Sequence, residues 1–249
     1  MKQQSSRFLE LLGAENLALF ADRLYTSGLG VFQPTATTSG LLSVAKKQIK
    51  ANSRVLDLGC GWGILGLEIA LSNSLKQVSM SDVSQGAYLA ARHNADLIEE
   101  HTEVRVGSLF EPWVGEKFDA IVSDVSGVSQ KIPFLSEWFD GIPCDSGDDG
   151  LRLVEEVIKE SGNYLEAENS ILIMPLISLS DVKRGEELMR NNFRIVNRAA
   201  QRFWSLRIDN REQQQKLDAL KSKNHVDFEV KGDSYTFYTN IYLLSQPIG

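Results

Sequence analysis

Apolar and polar positions alternate with two different periods between residues 54 and 174 of this 249-residue chain. Short apolar runs, which are typical of buried strands, occur at 55–58, 78–81, 104–106, 118–123 and 171–174. Segments with apolar residues at helical spacing lie between them, at 64–71, 84–98 and 150–165. Strands that alternate with helices in this way predict an α/β fold with a doubly wound, mostly parallel sheet.

The beginning of the chain has a different pattern. Residues 5–24 carry apolar side chains at roughly helical spacing, and Gly28, Gly30 and Pro34 then interrupt this pattern. We therefore expect one or two short N-terminal helices, which form a lid or appendage over residues 1–35.

The rest of the chain, residues 36–249, is predicted to form the main domain, which begins with a helix at 40–49. Residues 193–197 and 235–244 are typical of strands, with a charged helical insertion near 208–224 between them. Two late strands of this kind can close the sheet antiparallel to its neighbours. We expect a seven-stranded, Rossmann-like sheet with an antiparallel edge strand.

Composition narrows the class of protein. Hydrophobic residues make up 43% of the chain and charged residues 24%, which is ordinary for a globular protein. The apolar runs are much shorter than the roughly 20 residues of a membrane span, and the N-terminus lacks a signal-peptide core, so we expect a cytoplasmic protein without a membrane partner. Cys60, Cys144 and three scattered histidines show no zinc-like or disulfide-like spacing, so no metal is expected.

The net charge of −7 is concentrated in one part of the chain. Residues 51–150 contain six Lys or Arg against sixteen Asp or Glu. A block with this excess of negative charge does not attract a polyanion, so DNA or RNA as a bulk partner is disfavoured. A cationic or zwitterionic ligand suits this block better.

The strongest local feature is the run VLDLGCGWGILGLEIA, in which a strand leads through a glycine-rich turn into a helix. Gly59, Gly61 and Gly63 allow positive φ angles and a close approach of a ligand to the backbone. Asp82 follows at the end of the next strand, where a carboxylate can accept hydrogen bonds from both hydroxyls of a ribose. With Gly66 the same glycines also match a dinucleotide fingerprint, so a nicotinamide-dependent oxidoreductase is one alternative.

Asp57 favours a different cofactor. Its carboxylate, two residues before the first glycine, would repel a pyrophosphate but can serve a cationic ligand. Here the sequence resembles the class I S-adenosylmethionine-dependent methyltransferases from about residue 30 to 200. The resemblance implies that the three glycines pass beneath the methionine part of S-adenosylmethionine and that Asp82 holds its ribose. The full set of cofactor residues that we predict is Asp57, Gly59, Gly61, Trp62, Gly63, Asp82, Val83, Ser108, Leu109 and Asp124, in which Trp62 covers the methionine and Ser108 and Leu109 flank the adenine.

A closer resemblance is to the protein-glutamine N5-methyltransferases and their small-domain relatives. Three segments carry it: GVFQPTATTS, FDAIVSDVSGVS and CDSGDDGLRLVEEVIKESGNYL. That group has Asn-Pro-Pro-Tyr after the fourth strand, where it grips a planar nitrogen. This chain has Asp124, Val125, Ser126 and Gly127 instead, so it cannot make the same clamp.

Asp124 and Ser126 are our candidate catalytic residues. A carboxylate at this strand end could bind the ammonium of the cofactor, accept a proton from the acceptor or stabilise the sulfonium. The structural alternative for Asp124 is a helix N-cap. Tyr25, Phe32 and Thr35 would line the acceptor pocket if the N-terminal segment folds over it.

These observations predict an S-adenosylmethionine-dependent methyltransferase of a small molecule, for example an amino-acid-like biosynthetic intermediate. A protein acceptor is the first alternative. A cyclase or lyase that releases methylthioadenosine is the second, because the motif after the fourth strand is altered. A binding module without turnover is a further alternative, and the sequence predicts no oligomeric state.

Overall fold

The structure is a computed structural model, and it describes residues 17–20, 23–26, 31, 33–98, 102–135 and 145–248. The strands in these ranges are β1 (Leu17–Phe20), β2 (Arg23–Thr26), β3 (Arg54–Leu58), β4 (Gln77–Asp82), β5 (Thr102–Val106), β6 (Ala120–Ser123), β7 (Ile171–Ile177), β8 (Phe193–Arg207), β9 (Glu229–Lys231) and β10 (Ser234–Pro247). The helices are α1 (Ala36–Gln48), α2 (Ile64–Asn73), α3 (Gln85–Ile98), α4 (Arg152–Glu160), α5 (Val182–Asn192) and α6 (Arg211–Lys221).

The main sheet has the strand order β5-β4-β3-β6-β7-β10-β8, and β9 pairs with β10 as a short eighth strand. Strands β3 to β7 are parallel to one another, whereas β10 is antiparallel to both β7 and β8. The α/β, mostly parallel, Rossmann-like prediction is therefore confirmed. The three residues of β9 are too few to show a strand period in the sequence.

Helices cover both faces of this sheet. Leu41 and Ala45 of α1 are fully buried in one apolar cluster with Ile173 and Ile241 of the central strands. On the other face, α4 and α5 bury Val157 and Met189 against the sheet. Both faces of the parallel strands are thus shielded from water, and this explains their continuous apolar runs.

The prediction of N-terminal helices is wrong for residues 17–20 and 23–26, and residues 1–16 lie outside the described residues. Strands β1 and β2 form an antiparallel hairpin, with Leu17 opposite Thr26. Long-range contacts hold the second strand, because the main-chain N–H of Thr26 donates to Oδ1 of Asn94 at 2.8 Å and Asn94 Nδ2 donates back to its carbonyl. Such contacts override a helical spacing that is only local.

The last strands are much longer than predicted. β8 runs over fifteen residues where the sequence predicted five, and a shift in its register with β10 lies between Ile241 and Tyr242. Helix α6 falls within the predicted insertion near 208–224. Among the residues that the structure describes, no helix has both the length and the apolar character needed to cross a membrane.

A substitution at Gly150 tests how closely the main chain packs around Val128 and Ser129. Its φ is +75°, and a Cβ atom there would lie 2.6 Å from the main-chain N of Ser129. Gly150→Ala should lower the free energy of unfolding by about 3 kcal/mol, because a left-handed backbone and a clash with main chain combine. Urea denaturation measures this loss.

The matched control is Gly115→Ala. Gly115 has a φ of +84°, but a Cβ atom there would meet nothing within 4 Å beyond its own chain neighbours. This variant should lose only about 1 kcal/mol, from backbone strain alone. Equal losses in the two variants would contradict the packing argument.

Candidate active site

The glycine-rich turn connects β3 to α2 at the carboxyl ends of the parallel strands. Gly59, Gly61 and Gly63 all have positive φ, of 75°, 53° and 78°. The N–H groups of Gly59 and Cys60 both donate to the carbonyl of Ser81 at 2.9 Å, which ties the turn to the end of β4. The turn thus forms one wall of a site in which a ligand can approach the main chain closely.

Asp57 on β3 is fully buried beneath this turn. Its Oδ2 accepts a 2.8 Å hydrogen bond from the N–H of Gly66, whereas its Oδ1 has no partner among the described residues. Burial raises the pKa of Asp57 to about 7, and the nearby charges of Asp124 and Asp82 add smaller increases. An unpartnered buried acceptor is costly unless a ligand donates to it.

Asp82 closes the opposite side of the turn. Its Oδ2 accepts from the N–H of Gly61 at 2.9 Å, and its Oδ1 accepts from the N–H of Ser84 at 2.8 Å. Each carboxylate oxygen can accept a second hydrogen bond. Asp82 can therefore shape the turn and still bind the hydroxyls of a ribose.

Asp124 lies at the end of β6, where the residue is partly buried. Its Oδ2 accepts a 2.9 Å hydrogen bond from the hydroxyl of Thr38, near the beginning of α1. Burial raises the pKa of Asp124 to about 6, although the hydrogen bond from Thr38 opposes this. The N-cap alternative is wrong, because the segment after Asp124 is a loop and the next α-helix of the described residues begins at Arg152.

Ser126 lies beside Asp124 in this loop. The hydroxyl of Ser146 is 2.8 Å from both the carbonyl oxygen and the Oγ of Ser126. This contact fixes the loop that occupies the place of the Asn-Pro-Pro-Tyr motif. Ser126 is therefore held in place rather than free to rotate.

These residues surround a cavity of about 730 Å³. It lies between β3 and β6, where the strand order reverses, which is the usual ligand position in open α/β sheets. The predicted residues that line it are Asp57, Gly59, Gly61, Trp62, Asp82, Val83, Ser108, Leu109, Asp124, Ser126 and Thr35. Gly63 is not in the lining. It is the N-cap residue of α2, and it faces Met80 and Ala91 rather than the cavity.

Local geometry explains several of these positions. Trp62 is buried in the turn, and its carbonyl accepts from Asn94 Nδ2. Leu109 has a φ of +45°, in a bend that the Glu111 carboxylate stabilises by accepting from the N–H of Ser108 at 3.0 Å. Val83 is 72% exposed at the rim of the cavity.

Of the three predicted acceptor residues, the structure describes Tyr25 and Thr35. Tyr25 is buried elsewhere, where its hydroxyl donates to Glu68 Oε1 at 2.6 Å, so its assignment to the acceptor pocket is corrected to a packing role. Phe32 lies outside the described residues. Thr35 lines the cavity and is also the N-cap of α1, since its Oγ1 accepts from the N–H of Thr37.

Sequence reasoning missed the wall formed by the last strands. The cavity is also lined by Arg202, Phe203, Trp204 and Ser205 of β8 and by Thr239 of β10. The arginine and two aromatic residues in the run QRFWS were the available signal. The predicted strand ended at residue 197, so these residues had no expected place.

The family comparison agrees with this geometry. Residues 29–124 match the family model described as methyltransferase small domain, a segment that spans the turn and ends at Asp124. This segment of the chain is thus similar to a methyltransferase small domain. The resemblance predicted from the glycine turn and the acidic strand end is therefore confirmed.

Curated relatives match this methyltransferase domain over part of their length. The ribosomal protein uL3 glutamine methyltransferase of Francisella tularensis is 34% identical over 128 residues, which is 48% of this chain and 40% of that protein. The release factor glutamine methyltransferase of Buchnera aphidicola is 34% identical over 140 residues, 53% of this chain and 50% of that protein. The chain thus spans half the length or less of these two relatives.

Solved structures show the same fold at low sequence identity. The YcgJ protein of Bacillus subtilis has a TM-score of 0.56 and 11% identity, and the match covers 85% of this chain and all of that one. A 16S rRNA methyltransferase of T. thermophilus, solved in complex with AdoMet and guanosine, has a TM-score of 0.53 and 15% identity over 90% of this chain and 49% of that one.

The cofactor of the methyltransferase domain is S-adenosylmethionine, and the residues present fit it. The buried Oδ1 of Asp57 needs a donor, and three carboxylates in the lining favour a cation. The cavity volume is within the usual range of about 300–1,000 Å³ for small-molecule sites. The described residues contain no group of three His, Cys, Asp or Glu side chains that could hold a metal ion.

The buried Asp57 predicts an unusual pH dependence of stability. Its pKa of about 7 exceeds the ordinary 3.8, so the folded protein holds the proton more tightly than the unfolded chain. Stability from this group is present at low pH and is lost as the pH rises from about 4 to about 7. Without cofactor, the free energy of unfolding of Asp57→Asn minus that of the parent should therefore increase by roughly 2–3 kcal/mol from pH 5 to pH 8.

Urea denaturation at both pH values measures this gain. The control is Asp96→Asn, which changes an exposed carboxylate of α3 that pairs with Arg92. The difference between this control and the parent should stay constant with pH. If the stability of Asp57→Asn relative to the parent is the same at pH 5 and pH 8, the prediction is wrong.

Proposed function

We propose that this protein is an S-adenosylmethionine-dependent methyltransferase that modifies an amino group of a protein. The observation that carries the proposal is the Asp124 carboxylate at the mouth of the cofactor cavity, hydrogen-bonded to Thr38. It stands where the related glutamine methyltransferases have the asparagine of Asn-Pro-Pro-Tyr.

The chemistry of Asp124 suits an amine better than an amide. The lone pair of an amide nitrogen is delocalised, so an amide acceptor needs a planar clamp to present it. An amino group is an ammonium ion at neutral pH and must lose a proton before it can attack. With a pKa of about 6, Asp124 is ionised at pH 7 and can hold the ammonium and accept its proton.

The curated relatives support a macromolecular acceptor. They are named as methyltransferases of a release factor and of ribosomal proteins uL3 and L11. None of these names supports the small-molecule acceptor expected from the sequence. A ribosomal RNA small subunit methyltransferase C of Haemophilus influenzae is 31% identical over 148 residues, so the expectation that nucleic acid is disfavoured as a partner has no support from the relatives either.

The residues around the cavity have separate roles in this proposal. When bound, S-adenosylmethionine supplies an electrophilic methyl group. Asp57 and the glycine turn hold the amino acid part of the cofactor, and Asp82 accepts hydrogen bonds from its ribose. Asp124 orients the acceptor nitrogen and removes its proton, while Ser126 holds the adjoining loop. Positioning of this kind can supply much of the rate enhancement of a methyl transfer.

The test uses radiolabelled S-adenosylmethionine with salt-washed ribosomes and a release factor as acceptors. Label should appear in the protein fraction and, after acid hydrolysis, in a methylated amino group. Label in RNA, or label that acid hydrolysis releases from protein as methylamine, the product of N5-methylglutamine, would refute the proposal. A parallel incubation with the cofactor alone is followed by mass spectrometry, because enzyme-dependent methylthioadenosine would indicate a cyclase or lyase.

A further inference from the structure

β8 is an edge strand with an exposed main chain. It pairs with β10 on one side, and no other strand of the described residues lies on its other side. Ten of its fifteen residues are exposed, among them Phe203 at 65%. Such an edge presents unpaired N–H and C=O groups that can receive an additional strand.

The charge of β8 is opposite to that of the cavity. Residues 193–207 contain four arginines and no acidic residue, although the whole chain has a net charge of −7. Arg194, Arg198 and Arg202 form no ion pair within the described part of the chain, whereas Arg207 pairs with Asp233. A strand that carries these three guanidinium groups is complementary to an acidic segment.

The register shift distributes these arginines between the two faces of the sheet. Arg198 is opposite Tyr242 and Ala200 is opposite Ile241, so Ala199 is the extra residue of a bulge. Without it, Arg198 and Arg202 would point to the same face, because strand side chains alternate. With it, Arg202 lines the cavity opposite Thr239, while Arg198 faces the other side.

The edge is also continuous with the cavity, because Arg202 to Ser205 contribute to its wall. A segment that runs along β8 therefore passes the cavity mouth. Its acidic side chains would face the arginines of β8, and an amino group between them would face the carboxylates of the cavity. Charged residues also discourage edge strands from pairing with other copies, but that purpose does not require contact with the cavity.

We propose that β8 binds an extended, acidic segment of the acceptor protein as an additional strand and so delivers its amino group to the cavity. This inference rests on the proposed function, since it names how that acceptor docks. An extended peptide is favoured over RNA because only a peptide can pair with the open main-chain edge.

The probe is an acetylated peptide of about ten residues, roughly 33 Å when extended, with alternating glutamate and threonine and one central lysine. Binding is measured without cofactor, by fluorescence anisotropy and by hydrogen exchange of β8. We expect protection of amides in 193–207. Reversing two charges outside the cavity, in R194E/R198E, should weaken binding about ten-fold. The control K76E/R92E, which makes the same charge change near β4 on the far half of the sheet, should bind like the parent.

Two N-methylated peptides test the main-chain pairing directly. N-methylation of the alternate residues whose main-chain N–H groups face β8 should abolish binding. N-methylation of the other alternate residues, whose N–H groups point away from β8, should not. Equal binding of both peptides would overturn strand addition, as would absence of protection in β8. Competition by an oligouridylate with the same arginine dependence would assign the edge to RNA, and a dimer with protected β8 amides would assign it to a second copy.

Failure of this inference can be separated from failure of the proposed function. Peptide bound at β8 with no methylated protein would reject the function and leave the docking edge in place. Methylated protein without peptide binding at β8 would reject the docking edge and leave the proposed function in place.

Discussion

Replacing Asp124 with asparagine should lower the rate of methyl transfer at pH 7 by about 10²–10⁴-fold while the affinity for S-adenosylmethionine changes less than about three-fold. Asparagine keeps the size of the side chain and an acceptor for the Thr38 hydroxyl, but it cannot take a proton. The measurements are initial rates of protein labelling and calorimetric titration with the cofactor.

The control for Asp124→Asn is Asp145→Asn. Asp145 is an exposed carboxylate of the same acidic block and forms an ion pair with Arg152. Its loss should leave the rate of labelling unchanged. An Asp124→Asn enzyme with normal turnover would remove Asp124 from the chemistry, and equal losses of stability and activity would indicate a structural role.

The pH profile of the parent enzyme should have an acidic limb near pH 6, where Asp124 becomes ionised. The hydrogen bond from Thr38 lowers the pKa of Asp124, so Thr38→Val should move this limb to higher pH. Thr38→Ser retains the hydroxyl and serves as the control, which should keep the parent profile. A purely structural effect of Thr38 would lower the rate without moving the limb.

Asp82→Ala should weaken cofactor binding by roughly 10–100-fold, as expected for two lost hydrogen bonds to a charged group. The substitution also affects the turn, because Asp82 accepts from the N–H groups of Gly61 and Ser84. The dissociation constant for S-adenosylhomocysteine is therefore compared with that of its 2′,3′-dideoxy analogue.

This comparison is a double cycle between Asp82 and the ribose hydroxyls. The analogue should bind the parent weakly, and it should bind Asp82→Ala about as well as the intact ligand does. If the substitution weakens both ligands equally, Asp82 acts on the turn and the ribose assignment is wrong.

The parts of the site that the sequence predicted share one property. Asp57, the glycines and Asp82 lie within 26 residues of one another, and their function depends on a single strand, turn and helix. The positive φ of Gly59 and the position of Asp82 at a strand end follow from local chemistry. Such features can be recognised without knowledge of the rest of the fold.

The wrong and missing predictions depended on distant residues. The segment from Leu17 to Thr26 has apolar positions that suit a helix, yet β1 and β2 pair as a hairpin anchored on Asn94, 68 residues away from Thr26. Tyr25 was expected at the acceptor pocket, but Glu68 binds its hydroxyl. A local pattern contains no information about such partners.

The sequence by itself determined the α/β class, the glycine turn with its acidic neighbours and the resemblance to the class I methyltransferases. These depend on interactions within a few residues, which recur wherever the same residues recur. Only the tertiary structure decided that Thr38 binds Asp124, that β8 reaches the cavity and that a bulge turns Arg202 towards it. The reason is that the length of β8 is set by pairing with β10, which is distant along the chain, and an edge strand that is exposed on both faces shows no alternation of apolar and polar residues.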